Sequence, residues 1–305
     1  MASGRTAGEG RFCGVRGIKH TVLDLVRLST SYLAERGVET PRLDAEVLLA
    51  HVLGLDRLGL YVNFDRPLEP HEVDRYREAI RRRGRREPVA YILGEKEFMK
   101  KTFSVSPDVL IPRPETELLV ETVITRINEE IASDSVSLLD VGTGSGVIAI
   151  MLALAFPQAE ITACDISSQA LAVACQNAAR HSVASRIRLV QSDLLTGLPP
   201  EARYHCIVSN PPYVAQADLI GLAPEIRYEP RMALDGGADG LVFVRRLIEE
   251  AGERLLPGGF LAMEIGATQG EAVRLLAKER FYGYVEILRD YAGRERFAFI
   301  RKVES

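Results

Sequence analysis

The spacing of apolar positions along this chain changes character twice, and each change marks a different kind of structure. From His20 to Gly84 apolar residues recur at three- and four-residue intervals, the period of a helix with one buried face. Thr21 stands as a cap with Asp24 three positions on, followed by a helical pattern through Leu33 that Gly37 ends. Thr40 and Pro41 place a capping hydroxyl and a first-turn proline before Leu43, Val47, Leu48 and Val52, with Gly54 as the stop. A third helix is predicted over 69–83. Short helices of this kind form a small bundle, and no period of about 20–50 residues recurs to suggest a solenoid.

Residues 88–112 break that pattern. The runs 89–93 and 98–105, separated by Gly94, read as a hairpin. Ile111, Pro112, Arg113 and Pro114 hold too much proline for a strand or a helix, and are read as a linker into a helix over 115–130. From Ser137 onward apolar strand patterns at 138–141, 160–164, 187–191, 206–209, 260–265, 284–288 and 296–300 alternate with helical ones at 146–155, 167–181, 239–255 and 268–279. Such alternation predicts an α/β fold with a mostly parallel sheet covered on both faces. The last two strands have no helix between them, so the sheet is expected to end in an antiparallel hairpin. The resulting division is a leader at 1–19, a helical bundle at 20–86, a hairpin and linker at 87–114 and a larger domain at 115–305.

Composition limits the function classes. The 305 residues are 47% hydrophobic and 26% charged, the balance of a globular chain. The longest apolar run, from Val147 to Phe156, is about half of a membrane span. The net charge of −4 is uneven: residues 1–100 carry +3 and residues 101–305 carry −7. Cys13, Cys164, Cys175 and Cys206 show no C-x-x-C spacing, and Cys164 and Cys206 fall in apolar strand patterns, so a reducing cytoplasm is expected rather than a disulfide scaffold. Residues 1–19 lack the apolar core of a secretory signal; a disordered leader is expected, with an organelle transit peptide as the alternative.

The chemistry concentrates at the carboxyl ends of the predicted strands. Asp140 and Val141 lead into Gly142, Thr143, Gly144, Ser145 and Gly146, between a strand and a helix, where glycines let the backbone turn tightly and approach a ligand. A dinucleotide fingerprint would put its third glycine at position 147, which is Val147, so a nicotinamide dehydrogenase does not fit. Asp165 ends the next strand, placed for both hydroxyls of a ribose. Asp193 and Leu194 follow the third, where a carboxylate can accept from an adenine amino group. An adenine, a ribose and a tail without pyrophosphate describe S-adenosylmethionine, with Asp140 expected to supply an acidic lip for its cations.

Asn210, Pro211, Pro212 and Tyr213 follow the fourth strand and should face the same crevice. Two prolines remove two N–H donors and stiffen the chain, so the Asn210 side-chain oxygen and the Pro211 carbonyl can accept both hydrogens of a planar –NH2 group. Held in this way, a delocalised nitrogen is aimed at a methyl carbon and its developing positive charge is stabilised. Tyr213 would supply a flat wall, and Asn210 and Pro211 are the catalytic candidates.

This tetrapeptide occurs across amino-methyltransferases acting on adenine, guanine or glutamine. The stretch from Pro88 to Glu95, Phe98, the stretch from Ile111 to Glu117, and further matches at Arg227 to Pro230, Ala233 to Gly236, Asp290 and Tyr291 are more specific. Over residues 20–302 the chain resembles the PrmC/HemK family, the peptide chain release factor N5-glutamine methyltransferases. The resemblance implies a class I S-adenosylmethionine-dependent methyltransferase fold, Rossmann-like with a seven-stranded sheet, behind an N-terminal helical bundle that docks the substrate protein. It implies methyl transfer from S-adenosylmethionine to the glutamine of the Gly-Gly-Gln loop of class I release factors, with S-adenosylhomocysteine as product. Gly142 to Gly146 would then cradle the methionine part and Asp165 the ribose. Asp193 and Leu194 would meet the adenine, although the family often carries a larger aromatic residue at Leu194. Asn210, Pro211, Pro212 and Tyr213 would bind the glutamine amide, and Arg113 and Glu117 would shape the mouth of the cleft. A monomer is implied, with no metal, no membrane contact and no stable nucleic-acid binding.

The alternatives are an N6-adenine or N2-guanine nucleic-acid methyltransferase, disfavoured by the −7 of residues 101–305, and a non-catalytic binding protein, disfavoured by the intact glycine loop beside an intact Asn-Pro-Pro-Tyr. Seven arginines (Arg75, Arg77, Arg81, Arg82, Arg83, Arg85 and Arg86) crowd one stretch with Glu78 as the only acid. They read either as a basic docking face or as a solvated helix end. His20, His51, His71, His181 and His205 show no metal-ligand spacing.

Overall fold

Pro41, Pro70 and Pro114 each open a helix, in the first turn, where the N–H groups have no intrahelical partner to lose. The computed structural model describes residues 20–131, 135–280 and 282–302; the expected leader lies outside them. The chain divides into two compact units, the first ending at Leu93 and the second beginning at Gly94.

The first unit contains α1 (Val22–Ala34), α2 (Pro41–Leu53), α3 (Arg57–Val62), α4 (Pro70–Gly84) and α5 (Val89–Leu93). Thr21 and Asp24 form the expected reciprocal cap of α1. Thr40 departs from expectation: its hydroxyl donates to Asp44 Oδ1 at 2.9 Å and caps no backbone N–H. The α3 helix leaves no mark in the apolar pattern, because six residues are too few to show a period; Asp56 caps it by accepting from the Gly59 N–H at 2.6 Å. Residues 89–93 are helical rather than the first strand of a hairpin. The Pro88 carbonyl accepts from both Tyr91 and Ile92 at 3.1 Å, and so short an apolar run cannot distinguish helix from strand by itself. Leu33, Leu48, Leu49, Leu60, Tyr76 and Ile80 form the core of this unit.

Only Arg83 of the arginine cluster is buried, and most of the others are paired. Arg83, 5% exposed, donates to Asp44 at 2.6 Å. Arg82 holds Glu87, Arg77 holds Asp74, Arg81 holds Glu78, and Arg86 reaches the Gly37 carbonyl. Arg75, Arg77, Arg81 and Arg85 lie exposed on this stretch.

The second unit starts with an antiparallel hairpin, β1 (Glu95–Phe98) and β2 (Lys101–Ser104), followed by α6 (Pro114–Glu130). Then come β3 (Ser137–Val141), α7 (Val147–Ala155), β4 (Glu160–Asp165), α8 (Ser168–Arg180), β5 (Ile187–Gln191), β6 (Tyr204–Ser209), α9 (Val242–Arg254), β7 (Leu255–Glu264), α10 (Gly270–Glu279), β8 (Tyr284–Arg289) and β9 (Glu295–Arg301). The seven strands lie in the order β5-β4-β3-β6-β7-β9-β8, with β9 antiparallel to both neighbours and the other pairs parallel. Alternate strand residues feed opposite layers. Leu138, Cys206, Val208 and Phe260 join one core with α6 and α7, while Leu139, Ile207, Leu261 and Met263 join the other with α9 and α10. Both faces are therefore apolar, which is why these strands read as continuous runs. Strand β7 starts earlier than the sequence suggests, taking in Pro257 and two glycines; a register irregularity against β6 accommodates them. Among the described residues no helix is long and apolar enough to cross a membrane.

Candidate active site

Strand β3 delivers the chain into a loop that turns back over its own end. The Gly142 and Thr143 N–H groups donate to the Cys164 carbonyl at the end of β4, at 2.9 and 3.0 Å. Gly142 and Gly144 hold φ of 71° and 55°, which favour glycine, and a Cβ at either would meet nothing within 4 Å. Both line a cavity of about 190 Å³, with Thr143 and Ser145 between and beyond them. Gly146 differs. At φ 84° a Cβ would press on Ala174 and Ile150 at 3.1 Å, so this glycine lets α7 pack on α8, and it does not line the cavity. Asn177, fully buried on α8, donates to the carbonyls of Ser145 (2.8 Å) and Ser104 (3.0 Å) and accepts from the Ser104 N–H at 2.7 Å. One side chain thus ties the loop to the hairpin.

Asp140 forms no lip. It is fully buried beneath the loop, its Oδ2 accepting from the Thr143 hydroxyl at 2.6 Å and the Ala149 N–H at 3.1 Å. Its Oδ1 has no hydrogen-bond partner among the described residues. Burial pushes its carboxyl up to about 7, against the pull of those two donors. The sequence places Asp140 at the strand end; only the tertiary packing shows that the loop closes over it.

The next two strands end on the same cavity. Asp165 accepts from Gly144 N–H through Oδ2 and from Ser167 N–H through Oδ1, each at 2.9 Å, and lines the cavity beside Ile166. Asp193 and Leu194 line it too, but Arg246 on α9 holds Asp193 Oδ1 at 2.9 Å. Leu194 has φ 49°, an unusual backbone for leucine, and its carbonyl accepts from the Ser192 hydroxyl at 2.6 Å.

After β6, Asn210 and Pro212 line the cavity, while Pro211, which is buried, and Tyr213 are not among the residues lining it. Tyr213 is pinned at both ends. Its hydroxyl donates to Glu264 Oε1 at 2.8 Å, and its carbonyl accepts from Gln269 Nε2 at 3.0 Å. Burial and the adjacent Glu264 carboxyl push the Tyr213 phenol up. Asn210 Nδ2 donates to the Thr116 hydroxyl at 3.1 Å. A Cβ on Gly236 would meet the Pro212 carbonyl at 2.9 Å, and one on Gly240 the Tyr213 carbonyl at 2.5 Å, so those two carbonyls face the 236–240 segment. Among the described residues the Pro211 carbonyl accepts no hydrogen bond.

Opposite the strand ends, Arg113 lines the cavity and donates to Glu229 Oε1 at 2.6 Å, while Ile111 N–H donates to Glu229 Oε2 at 3.2 Å. This buried carboxylate joins the linker to the segment before Pro230. Glu117 points elsewhere: it accepts from the Met99 N–H at 3.0 Å in the hairpin turn and does not line the cavity. Thr116, Asn177, Glu229, Glu264 and Gln269 are functional neighbours of the site that residue type and spacing alone do not mark. Thr116 and Glu229 lie inside stretches that resemble the family, whereas Asn177, Glu264 and Gln269 carry no local signal. Among the described residues no group of three or more His, Cys, Asp or Glu side chains is placed to hold a metal.

Residues 24–94 match the PrmC N-terminal domain and residues 114–237 the methyltransferase small domain. A release factor glutamine methyltransferase from Geobacter sulfurreducens is 49% identical over 253 residues, covering 83% of this chain and 85% of its own. One from Bordetella pertussis is 45% identical over 266 residues, covering 87% and 96%. Among solved structures, the hMettl16 catalytic domain aligns with a TM-score of 0.54 at 16% identity, covering 67% of this chain and 75% of that one, a likeness of fold alone.

Proposed function

This chain belongs to the release factor glutamine methyltransferase family, and from that premise we propose that it methylates the side-chain amide nitrogen of the glutamine in the Gly-Gly-Gln loop of class I peptide chain release factors. The donor is S-adenosylmethionine and the product S-adenosylhomocysteine. The observation that carries the reading is the convergence of the glycine loop, Asp165 and Asn210 on one cavity.

Two features support the donor's fit. Gly142 and Gly144 leave open the space that side chains would take. Asp140 keeps an unpartnered carboxylate oxygen beneath Thr143, and a cation brought to this loop would favour its ionised form. Gly142 to Ser145 would hold the methionine part, Asp165 the ribose hydroxyls, and Asp193 and Leu194 the adenine. Gly146 would serve the site by seating α7. The donor supplies an electrophilic methyl group on a sulfonium.

The protein's own work is to aim the nucleophile. A primary amide is a weak nucleophile because its lone pair is shared with the carbonyl. Asn210 Oδ1 and the Pro211 carbonyl would accept its two N–H bonds, orienting the nitrogen and stabilising positive charge as it develops there. The rigid Pro211–Pro212 backbone keeps those acceptors from relaxing. No strong base is needed before attack, since the proton becomes acidic once the nitrogen is alkylated. Tyr213 would steady this turn from behind, and the helical unit ending at Leu93 would dock the release factor.

Labelled-methyl transfer to a class I release factor, its Gly-Gly-Gln→Gly-Gly-Ala variant and ribosomal RNA tests the reading. Label is expected on the intact factor alone; label on RNA or on the variant overturns the acceptor. Asn210→Ala is expected to lower transfer by about two orders of magnitude, the scale of losing a transition-state hydrogen-bonding group, with S-adenosylhomocysteine binding retained. Unchanged transfer would remove the amide clamp.

A further inference from the structure

An asparagine amide has two nearly isosteric ends, and only one of them can accept from a substrate N–H. Whatever fixes the orientation of Asn210 therefore decides whether the site can bind an amide nitrogen or repels it. Asn210 has one hydrogen bond among the described residues, from Nδ2 to Thr116 Oγ1 at 3.1 Å. Thr116 is 3% exposed at the start of α6, and its hydroxyl donates to Glu264 Oε2 at 2.8 Å. Glu264 is 1% exposed at the end of β7, and its other oxygen accepts from the Tyr213 hydroxyl at 2.8 Å.

The chain of donors has one direction. An ionised carboxylate only accepts, so Thr116 gives its single hydroxyl proton to Glu264 and has only a lone pair left for Asn210. Asn210 must therefore turn its –NH2 toward Thr116. Its Oδ1, which accepts from nothing among the described residues, is left for the cavity that Asn210 lines. We propose that Glu264 and Thr116 are positioning residues that set the amide polarity of Asn210, so that the site presents an acceptor and not a donor to the substrate amide. The inference rests on the reading that Asn210 binds that amide. Tyr213, bonded to the other oxygen of the same carboxylate, ties the far end of the Asn-Pro-Pro-Tyr turn to the same anchor.

The polarity depends on Glu264 being ionised. A protonated Glu264 can donate to Thr116, which then donates to Asn210 and turns the amide over. Burial raises the Glu264 carboxyl, as does Glu115 on α6, while Thr116, Tyr213 and Arg296 on β9 favour its charged form.

The test uses the full chain, an intact class I release factor and labelled donor, comparing wild type with Thr116→Val, Thr116→Ser, Glu264→Gln and Asn210→Ala. Thr116→Val keeps the shape but loses the hydroxyl. It is expected to lower kcat about tenfold or more, with S-adenosylhomocysteine affinity unchanged. Thr116→Ser is expected to restore most of the rate. Wild-type kcat is expected to fall toward acid pH, and Thr116→Val to lose that limb. Should Thr116→Val fail to fold, Glu264→Gln carries the test with a lowered kcat and no acid limb. Wild-type kcat in Thr116→Val or Glu264→Gln, beside an impaired Asn210→Ala, overturns the brace and leaves the clamp standing. Equal damage in Thr116→Ser and Thr116→Val, or loss of donor affinity alongside kcat, also overturns it by pointing to packing. Wild-type activity in Asn210→Ala removes the clamp itself and the brace with it.

Discussion

Two glycines in one loop do different jobs, and a single added methyl group separates them. Gly144 faces open space at φ 55°, while Gly146 at φ 84° has Ala174 and Ile150 pressed against the place a Cβ would take. Gly144→Ala is therefore expected to weaken S-adenosylhomocysteine binding about tenfold or more, by putting a methyl group beside the cavity, with about 1 kcal/mol of lost stability from the left-handed backbone. Gly146→Ala should lose about 2–4 kcal/mol of stability from strain and overpacking combined. Calorimetric titration and urea unfolding on both variants check this; equal profiles would mean that the loop does not divide its work in this way. The glycine spacing was legible in the sequence, but which glycine meets ligand and which meets protein was not, because the second partner, Ala174, lies 28 positions downstream.

Among the elements, the hairpin and the glycine loop are joined by one buried amide. Asn177→Ala would leave the Ser104 N–H and the Ser104 and Ser145 carbonyls without this partner. Buried polar groups stripped of partners cost about 1–3 kcal/mol each, so the variant should lose about 3 kcal/mol or more and weaken donor binding as the loop loosens. Stability within about 0.5 kcal/mol of wild type would show that water replaces the amide without loss. At this scale the strands were readable because their apolar runs answer to both faces of one sheet. The 89–93 run is helical although its apolar pattern fits a strand, because its turn depends on the Pro88 carbonyl and on the surface it packs against, neither of which shows as a period in five residues.

For the molecule as a whole, the buried Asp140 makes stability depend on pH. Its carboxyl stands near 7 in the fold against an ordinary 3.8, so between those values the folded protein holds a proton that the unfolded chain releases. The stabilisation from this group is full below about pH 4 and is lost as pH rises through about 7. Asp140→Asn removes that dependence: the stability difference, wild type minus variant, should fall as pH rises from about 5 to about 8. Urea unfolding across that range measures it, and a difference constant with pH would show that the carboxyl is ionised throughout. Local chemistry was enough to determine the doubly wound sheet with its antiparallel edge, the glycine turn, and the acids and asparagine at successive strand ends. Each of these rests on residue types and periods within a few positions of one another. Which side of the loop Asp140 lies on, which oxygen of Asp193 is paired within the protein, and what the Asn210 amide bonds to depend on Thr143, Arg246, Thr116 and Glu264. Apart from Thr143, these residues come from distant parts of the chain. The packing of α6 and α9 on the sheet, and the place of β7 within it, bring them together, and a hydrogen bond has direction only once both its partners are in place.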